Sequence, residues 1–414
     1  MVRLIILWLC LLPFLAGCEP VPSQPALLSP ATLVYMVADN NLDYYAILNI
    51  RQMERGLPDN VESPVFVFID RARGANPSHP YLLKIVQNTD NSITMSPILQ
   101  VYRELNTSDP QVLRQVINDV KKYCARYGAE LRRLILWSHG TGWLPEGTPF
   151  NELDDDDFFR NSKSHISKNR ASNPNYSFGL DYTGSGEEEH KKEMDIKDLA
   201  RVLEGERFEL LIMDACFMGT IEVAYELRHI FDYMLVSPTE ILAGGFPYED
   251  IMGFLTASVI DPLAIAVRFF DYYFNQKGAL QSAAITMVDS RYLENLAKNM
   301  ETIYLDYIMV KDGIPIEQFI QYDRTFSNYF FDIKNFILAV SEHTKNDYTN
   351  IVQLYNKVVP FYLRTEKVFD VLDLLGTSGL SIYIPNLFTN RSTLHEYYQN
   401  LSWAQDSKAV LLFN

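Results

Sequence analysis

The sequence predicts an α/β protein with a mostly parallel central sheet covered by helices on both faces. Three observations carry this reading. The runs Thr32 to Val37, Val65 to Ile69, Leu134 to Trp137 and Leu210 to Met213 are apolar without alternation, as strands buried on both faces are. Helical patterns stand between such runs, and strands that take turns with helices build parallel sheets. Two stretches share a design: Leu134 to Gly142 leads into Ser-His-Gly-Thr-Gly, and Leu210 to Gly219 into Asp-Ala-Cys-Phe-Met-Gly. Both put reactive side chains at the carboxyl end of a strand, where open parallel sheets bind ligands.

The chain opens with Met1 to Gly17, which has one early charge at Arg3 and then an apolar run. The run is too short to span a bilayer and reads as a signal peptide. Leu15-Ala16-Gly17-Cys18 resembles a bacterial lipobox, in which cleavage leaves Cys18 as the lipidated first residue. An exported lipoprotein anchored to a membrane, periplasmic or at the cell surface, is therefore expected. Pro20, Pro22, Pro25 and Pro30 make residues 18–30 an extended tether. Cys124 and Cys216 then remain as thiols, which rules out a disulfide scaffold and leaves the apolar core to hold the fold. With 48% hydrophobic residues in a chain of 414, there is material for one large or two ordinary domains.

From Ala31 the elements follow in order. After the strand Thr32 to Val37, a helical pattern runs from Tyr44 to Arg55 and stops at Gly56-Leu57-Pro58, ahead of the strand Val65 to Ile69. Asp109 as cap and Pro110 in the first turn open a helix whose stripe is Val116, Ile117, Val120, Cys124 and Tyr127, which assigns Cys124 to the core. The histidine strand follows, then an irregular segment from Leu144 to Lys192, a helix over about Asp195 to Leu203, and the cysteine strand with a helix pattern after it. Tyr233 to Ser237 is one strand more. Beyond Asp250, Pro262 to Asn275 reads as a helix rich in Phe and Tyr, Ala283 to Val288 as a strand and Ile333 to Val340 as a helix. The segment 144–192 is too long for a plain connection inside a compact domain, so it is either functional or disordered.

If the two strands with matched ends lie side by side, His139 and Cys216 meet as a nucleophile and its proton-transfer partner. A thiol is only slightly ionised near neutral pH. A neighbouring histidine, with the start of the helix after Cys216, would lower its pKa or take its proton during attack. Gly140 has no side chain, so its N–H can approach a substrate carbonyl closely. With the N–H of Cys216 it makes a candidate two-donor oxyanion hole, of a kind worth roughly 3 to 4 kcal/mol per donor. Asp214, two residues before the thiol, is a candidate pocket carboxylate for an arginine or lysine of the substrate, and Glu240 offers a second charge in the loop after the next strand. The residues also admit a plainer account, with Cys216 as a core thiol, His139 as a satisfied strand-end histidine and Asp214 as a helix cap.

Ser138-His139-Gly140 and Asp214-Ala215-Cys216 resemble the two catalytic motifs of the clostripain family of cysteine peptidases, relatives of caspases, legumains and gingipains. Val34 to Leu42 is similar to the family's first strand and turn, Asp70-Arg71 to the end of the second strand, Ser237 to Tyr248 to the loop after the strand that follows the nucleophile, and Gly379 to Pro385 to a late strand. The resemblance implies a caspase-like three-layer sandwich over 31–250 carrying the 144–192 insertion, with a C-terminal α/β extension over 251–414 packed on it. It implies a cysteine endopeptidase that cleaves peptide or protein substrates after Arg, or Lys, through a Cys216/His139 dyad with no third member. It also implies a maturation cut after a basic residue of the insertion, such as Arg160, Lys163, Lys168, Arg170, Lys191 or Lys192. Two positions depart from the pattern at the pocket wall: Phe246 stands where Trp is usual, and Pro238 interrupts a commonly acidic stretch, which leaves the choice between Arg and Lys open.

The formal charge of −16 and the lack of a basic stripe argue against nucleic acid as a partner. No phosphate loop, CxxC or HExxH pattern occurs, and His165, His190, His229, His343 and His395 are scattered without metal spacing, so neither a metal site nor a required cofactor is expected. Some family members depend on calcium. The acidic loops here leave that open, although no EF-hand pattern supports it. Two other activities fit the same residues: another thiol hydrolase or amidase on this scaffold, or a non-catalytic surface lipoprotein that binds peptides.

Overall fold

The computed structural model describes residues 28–72, 74–90, 93–146, 148, 178–181, 193–324, 328–385 and 392–413. The expected leader, Cys18, most of the tether, and the basic residues of the 144–192 insertion lie outside them. The apolar runs of the sequence become β1 (Ser29–Ala38), β2 (Val65–Arg71), β3 (Tyr81–Lys84), β4 (Ile98–Val101), β5 (Ala129–Trp137), β6 (Phe208–Asp214) and β7 (Phe231–Val236). Later come β8 (Ala284–Asp289), β9 (Phe331–Asp332) and β10 (Phe361–Arg364). All but β9 join one sheet in the order β10-β8-β7-β6-β5-β1-β2-β3-β4. The five strands from β7 to β2 run parallel, and the sheet is finished on both sides by antiparallel neighbours, β8 with β10 and β3 with β4. Because β8 and β10 come from beyond residue 250, the sheet crosses the domain boundary expected there.

The parallel strands are apolar throughout because both of their faces are covered. Helices α1 (Asp43–Gly56), α5 (Tyr248–Leu255) and α6 (Pro262–Phe274) form one contiguous layer. A second layer holds α2 (Pro110–Arg126), α3 (Ile196–Val202), α4 (Ile221–Glu226) and α7 (Leu293–Val310). Leu134, Leu136, Leu211, Ile212 and Met213 are wholly buried between the layers, each such side chain contributing on the order of 1.5 to 3 kcal/mol. In α2 the Asp109 carboxylate accepts the N–H of Gln111 at 2.9 Å, Pro110 sits in the first turn, and Val116, Ile117, Val120 and Cys124 face inward as the spacing predicts. Burial pushes the Cys124 thiol up to about 12, so it is inert. Tyr127 leaves the predicted stripe, because the helix ends before it and the ring stands half out of the fold.

Two further expectations are corrected. The helix after Cys216 begins only at Ile221, where the Thr220 hydroxyl accepts the N–H of Val223 at 3.1 Å. Cys216 therefore sits in a turn ahead of the helix and gains nothing from a helix start, and Thr220, not Asp214, is the cap. The late strand Gly379 to Pro385 shrinks to Ser381–Ile382, which pairs with β9 outside the main sheet. Its place is still informative, because the Ser381 N–H reaches the Gly219 carbonyl at 3.0 Å and backs the turn that carries the cysteine. Among the described residues no helix is long and apolar enough to cross a membrane.

One buried cation fixes α5 to the sheet. Arg133 of β5 is wholly buried and donates to the carbonyls of Leu255 and Ala257, at 2.7 Å each, which lie at and just past the end of α5. The start of that helix supplies a wall of the site described next.

Candidate active site

Adjacent parallel strands and their register bring the two motifs together. Trp137 of β5 stands beside Asp214 of β6, and the Ser138 N–H donates to the Asp214 carbonyl at 3.3 Å, so the chains leave the sheet side by side. His139 and Cys216 follow directly and line one groove, partly open to solvent, together with Asp214, Glu240, Trp137 and Leu42. Gly140 explains how the two loops lie so close. A Cβ there would stand 2.8 Å from the Cys216 carbonyl oxygen and 2.9 Å from the Met218 sulfur, so only glycine fits without displacing backbone. Among the described residues no backbone partner takes the Gly140 N–H, the donor expected of an oxyanion hole.

The cysteine sits on a sharp turn. Phe217 has φ +57°, a left-handed conformation that costs a non-glycine residue about 1 kcal/mol or more. Its N–H bonds to the Thr239 carbonyl at 2.9 Å and its ring stacks on Phe330 at 4.8 Å, and these contacts hold the strained residue. The turn leaves Cys216 half-buried, and the Ile241 N–H donates to its sulfur at 3.3 Å. That donor takes over the stabilising part that the sequence assigned to a helix start.

The imidazole is held from β1. The Ser138 hydroxyl donates to the Val37 carbonyl at 2.8 Å, and His139 Nε2 lies 2.7 Å from Asn41 Oδ1, in the turn after β1. Asn41 is the site residue that sequence reasoning missed, and the signal available was a polar residue at the end of the strand beside the histidine strand. Burial pushes the His139 pKa down to about 4, while the open edge of the ring at the groove mouth lets water work against that shift.

The two carboxylates differ in their partners. Asp214 is buried and accepts from the Phe246 N–H at 3.1 Å and the Tyr248 hydroxyl at 2.8 Å. Gly245, at φ +64°, lets the loop fold this closely, since a Cβ there would meet Asp214 Oδ2 at 2.7 Å. Burial pushes the Asp214 pKa up to about 6 against the pull of these donors. Glu240 lines the same groove but is paired with Arg324 at 2.5 Å, and burial raises its pKa despite that cation. Phe246, expected at the pocket wall, is buried against Phe269 with ring centroids 4.6 Å apart. The wall is braced by Asn49, which accepts from the Trp137 indole at 2.9 Å and donates to the Gly244 carbonyl at 2.9 Å. Among the described residues no group of three or more His, Cys, Asp or Glu is arranged to hold a metal ion, so nothing here supports calcium binding.

A thiol and an imidazole in one groove, at the carboxyl ends of neighbouring parallel strands, is the layout of a cysteine hydrolase. The model of the clostripain family matches residues 34–160 and 182–410, and the chain belongs to that family of cysteine peptidases, hydrolases of peptide bonds. It is 28% identical over 239 residues to clostripain of Hathewaya histolytica, a match covering 53% of this chain and 40% of that one, so the chain spans well under two thirds of that relative's length. A secreted C11 cysteine protease from Bacteroides thetaiotaomicron, solved with an irreversible peptide inhibitor, shares the fold with a TM-score of 0.70 at 23% identity, covering 92% of this chain and 100% of that one. An inactive zymogen C11 protease from Parabacteroides distasonis gives a TM-score of 0.69 at 27% identity, over 93% and 99% of the two chains. These likenesses bear out the caspase-like α/β sandwich.

The contact at Gly140 can be tested directly. Gly140→Ala forces the two loops apart, and a loss of about 1 to 3 kcal/mol is expected, read as a lower midpoint in denaturant. An unchanged midpoint would mean that the loops do not touch there.

Proposed function

We propose that this chain is a cysteine endopeptidase that cleaves after Arg or Lys, with Cys216 as nucleophile and His139 as acid and base. The observation that carries the proposal is the shared groove in which His139, Cys216 and Asp214 meet at the ends of β5 and β6.

The chemistry follows from the partners. Asn41 Oδ1 can only accept, so it holds the proton on His139 Nε2 and leaves Nδ1 with its lone pair. Burial lowers the pKa of the imidazole and keeps it neutral at physiological pH, in the form that can accept a proton from the thiol. As the sulfur attacks the carbonyl carbon after the basic residue, its proton passes to Nδ1, and the N–H groups of Gly140 and Cys216 take the oxyanion. The imidazolium then protonates the departing amine as the C–N bond breaks, leaving a thioester. Water attacks the thioester, gives a proton to His139, and the thiol reforms as the acid leaves. Asp214 supplies the negative charge for the basic side chain. Asn41 acts through the ring as a positioning residue. Asn41→Ala is expected to lower kcat about tenfold with KM nearly unchanged.

Maturation by a cut after a Lys or Arg of the 144–192 insertion is part of the proposal. The inactive zymogen described for the Parabacteroides distasonis relative supports it. Export with a lipid at Cys18 rests on the lipobox-like sequence, with the secreted Bacteroides thetaiotaomicron relative in support of export. Intact mass of protein expressed in a bacterium reads both. Two fragments in the wild type and one chain in Cys216→Ala are expected, with an N-terminus at Cys18 carrying added acyl mass. A single unlipidated chain in both samples contradicts them.

Fluorogenic peptides that differ only in the residue before the cut test the specificity. Arg and Lys peptides are expected to be cleaved, with Cys216→Ala inactive and Asp214→Asn about a hundredfold weaker in kcat/KM. Because its pKa is raised, Asp214 is ionised above about pH 6 and protonated below, so kcat/KM for basic peptides should fall as pH drops through about 6. Asp214→Asn should lack that limb. Equal cleavage of neutral and basic peptides would refute the proposed specificity.

A further inference from the structure

Two acids line the groove, and only one of them is balanced by a cation. Asp214 has neutral partners, the Phe246 N–H and the Tyr248 hydroxyl, and makes no ion pair among the described residues. Glu240 has both oxygens held by one guanidinium: Arg324 Nε donates to Oε2 at 2.6 Å and Nη2 to Oε1 at 2.5 Å. The two side chains are only 6% and 7% exposed, and the Arg324 guanidinium lies over the Phe369 ring at 4.2 Å. The chain is tied down two residues before Arg324. The Tyr322 N–H bonds to the Phe330 carbonyl at 2.9 Å, and the buried Tyr322 hydroxyl donates to Asp332 at 2.7 Å.

We infer that Arg324 is a specificity-determining residue of this groove: it claims Glu240 permanently, so that a substrate side chain meets Asp214 as the one uncompensated acid. The inference rests on the proposed function and deepens it, because it turns a pocket with two carboxylates into one that reads a single positive charge. Three physical points support it. A fork-on-fork pair satisfies both oxygens of Glu240 and leaves it little capacity for a second cation. The pair is dry, so separating its members would leave an uncompensated buried charge, whereas an incoming arginine can only replace one guanidinium by another. The guanidinium is also stacked, which a transient plug would not need.

The test compares peptides with Arg, Lys or norleucine before the cut, on the wild type, on Asp214→Asn, on Arg324→Met alone, and on the double variant Glu240→Gln with Arg324→Met, which deletes both charges at similar volume. The double variant is expected to keep the basic-to-neutral ratio of kcat/KM within about threefold of the wild type, while Arg324→Met alone, which leaves Glu240 uncompensated in the groove, should move that ratio by about tenfold or more; an unchanged ratio in Arg324→Met would overturn the inference. The double variant's rate of Cys216 alkylation by iodoacetamide should stay within about twofold. Asp214→Asn should bring the ratio close to one. A double variant that loses the basic preference while its alkylation rate holds would overturn the inference, since Glu240 would then read the substrate and Arg324 would be a displaceable plug. A wild type without basic preference would instead overturn the function on which the inference rests. If the neutral pair does not fold, the reversed pair E240R/R324E serves. It keeps the ion pair and should retain the ratio, and loss of the ratio there overturns the inference equally.

Discussion

Everything at this site depends on two backbone segments lying closer than side chains allow. Parallel pairing of β5 and β6 sets the distance between the strands, and the two chains then turn out of the sheet with Gly140 against the carbonyl of Cys216. That contact sets how closely the loops that carry His139 and Cys216 approach one another. A methyl group there would open the seam and move both motifs at once. The strain accepted at Phe217 belongs to the same arrangement, because the left-handed turn keeps the thiol at the surface of the groove while the ring that follows it is buried.

Around this seam the protein holds charges by different means. The cysteine receives an N–H from Ile241 where a helix start was expected, the histidine is oriented by the amide of Asn41, and Asp214 is buried among neutral donors that do not cancel its charge. Burial raises the pKa of that carboxylate to about 6 against the pull of its neutral donors. Glu240 shows the contrary solution, its charge spent on Arg324. The two acids of one groove thus differ in their surroundings, one among neutral donors and one paired with a guanidinium.

What the sequence disclosed follows from which contacts are local. The runs ending at Ser138 and Asp214 are buried on both faces, so their apolar continuity is unmistakable, and strand ends are where parallel sheets place ligands. The pairing of His139 with Cys216 in one groove was legible for that reason. The edge strands β4 and β10 were not, since their residues are only half covered and carry no strong pattern. The helix after Cys216 was placed too early because the turn from Cys216 to Thr220 is apolar and mimics a helical stripe. The contacts of Asn41 and Arg324 were hidden for another reason: their partners, His139 and Glu240, lie 98 and 84 residues away in the chain, and a single sequence offers no more than the polar residue at a strand end in the case of Asn41.

The central claim is that Cys216 and His139 work as one unit across the seam. The most direct measurement is labelling by a lysyl or arginyl chloromethyl ketone, with peptide mapping by mass spectrometry and the rate compared with that of His139→Ala. The account predicts a label on Cys216 and none on Cys124, at a rate that falls by at least about a hundredfold without the imidazole. A label that forms equally fast in His139→Ala, or that never reaches Cys216, would contradict it.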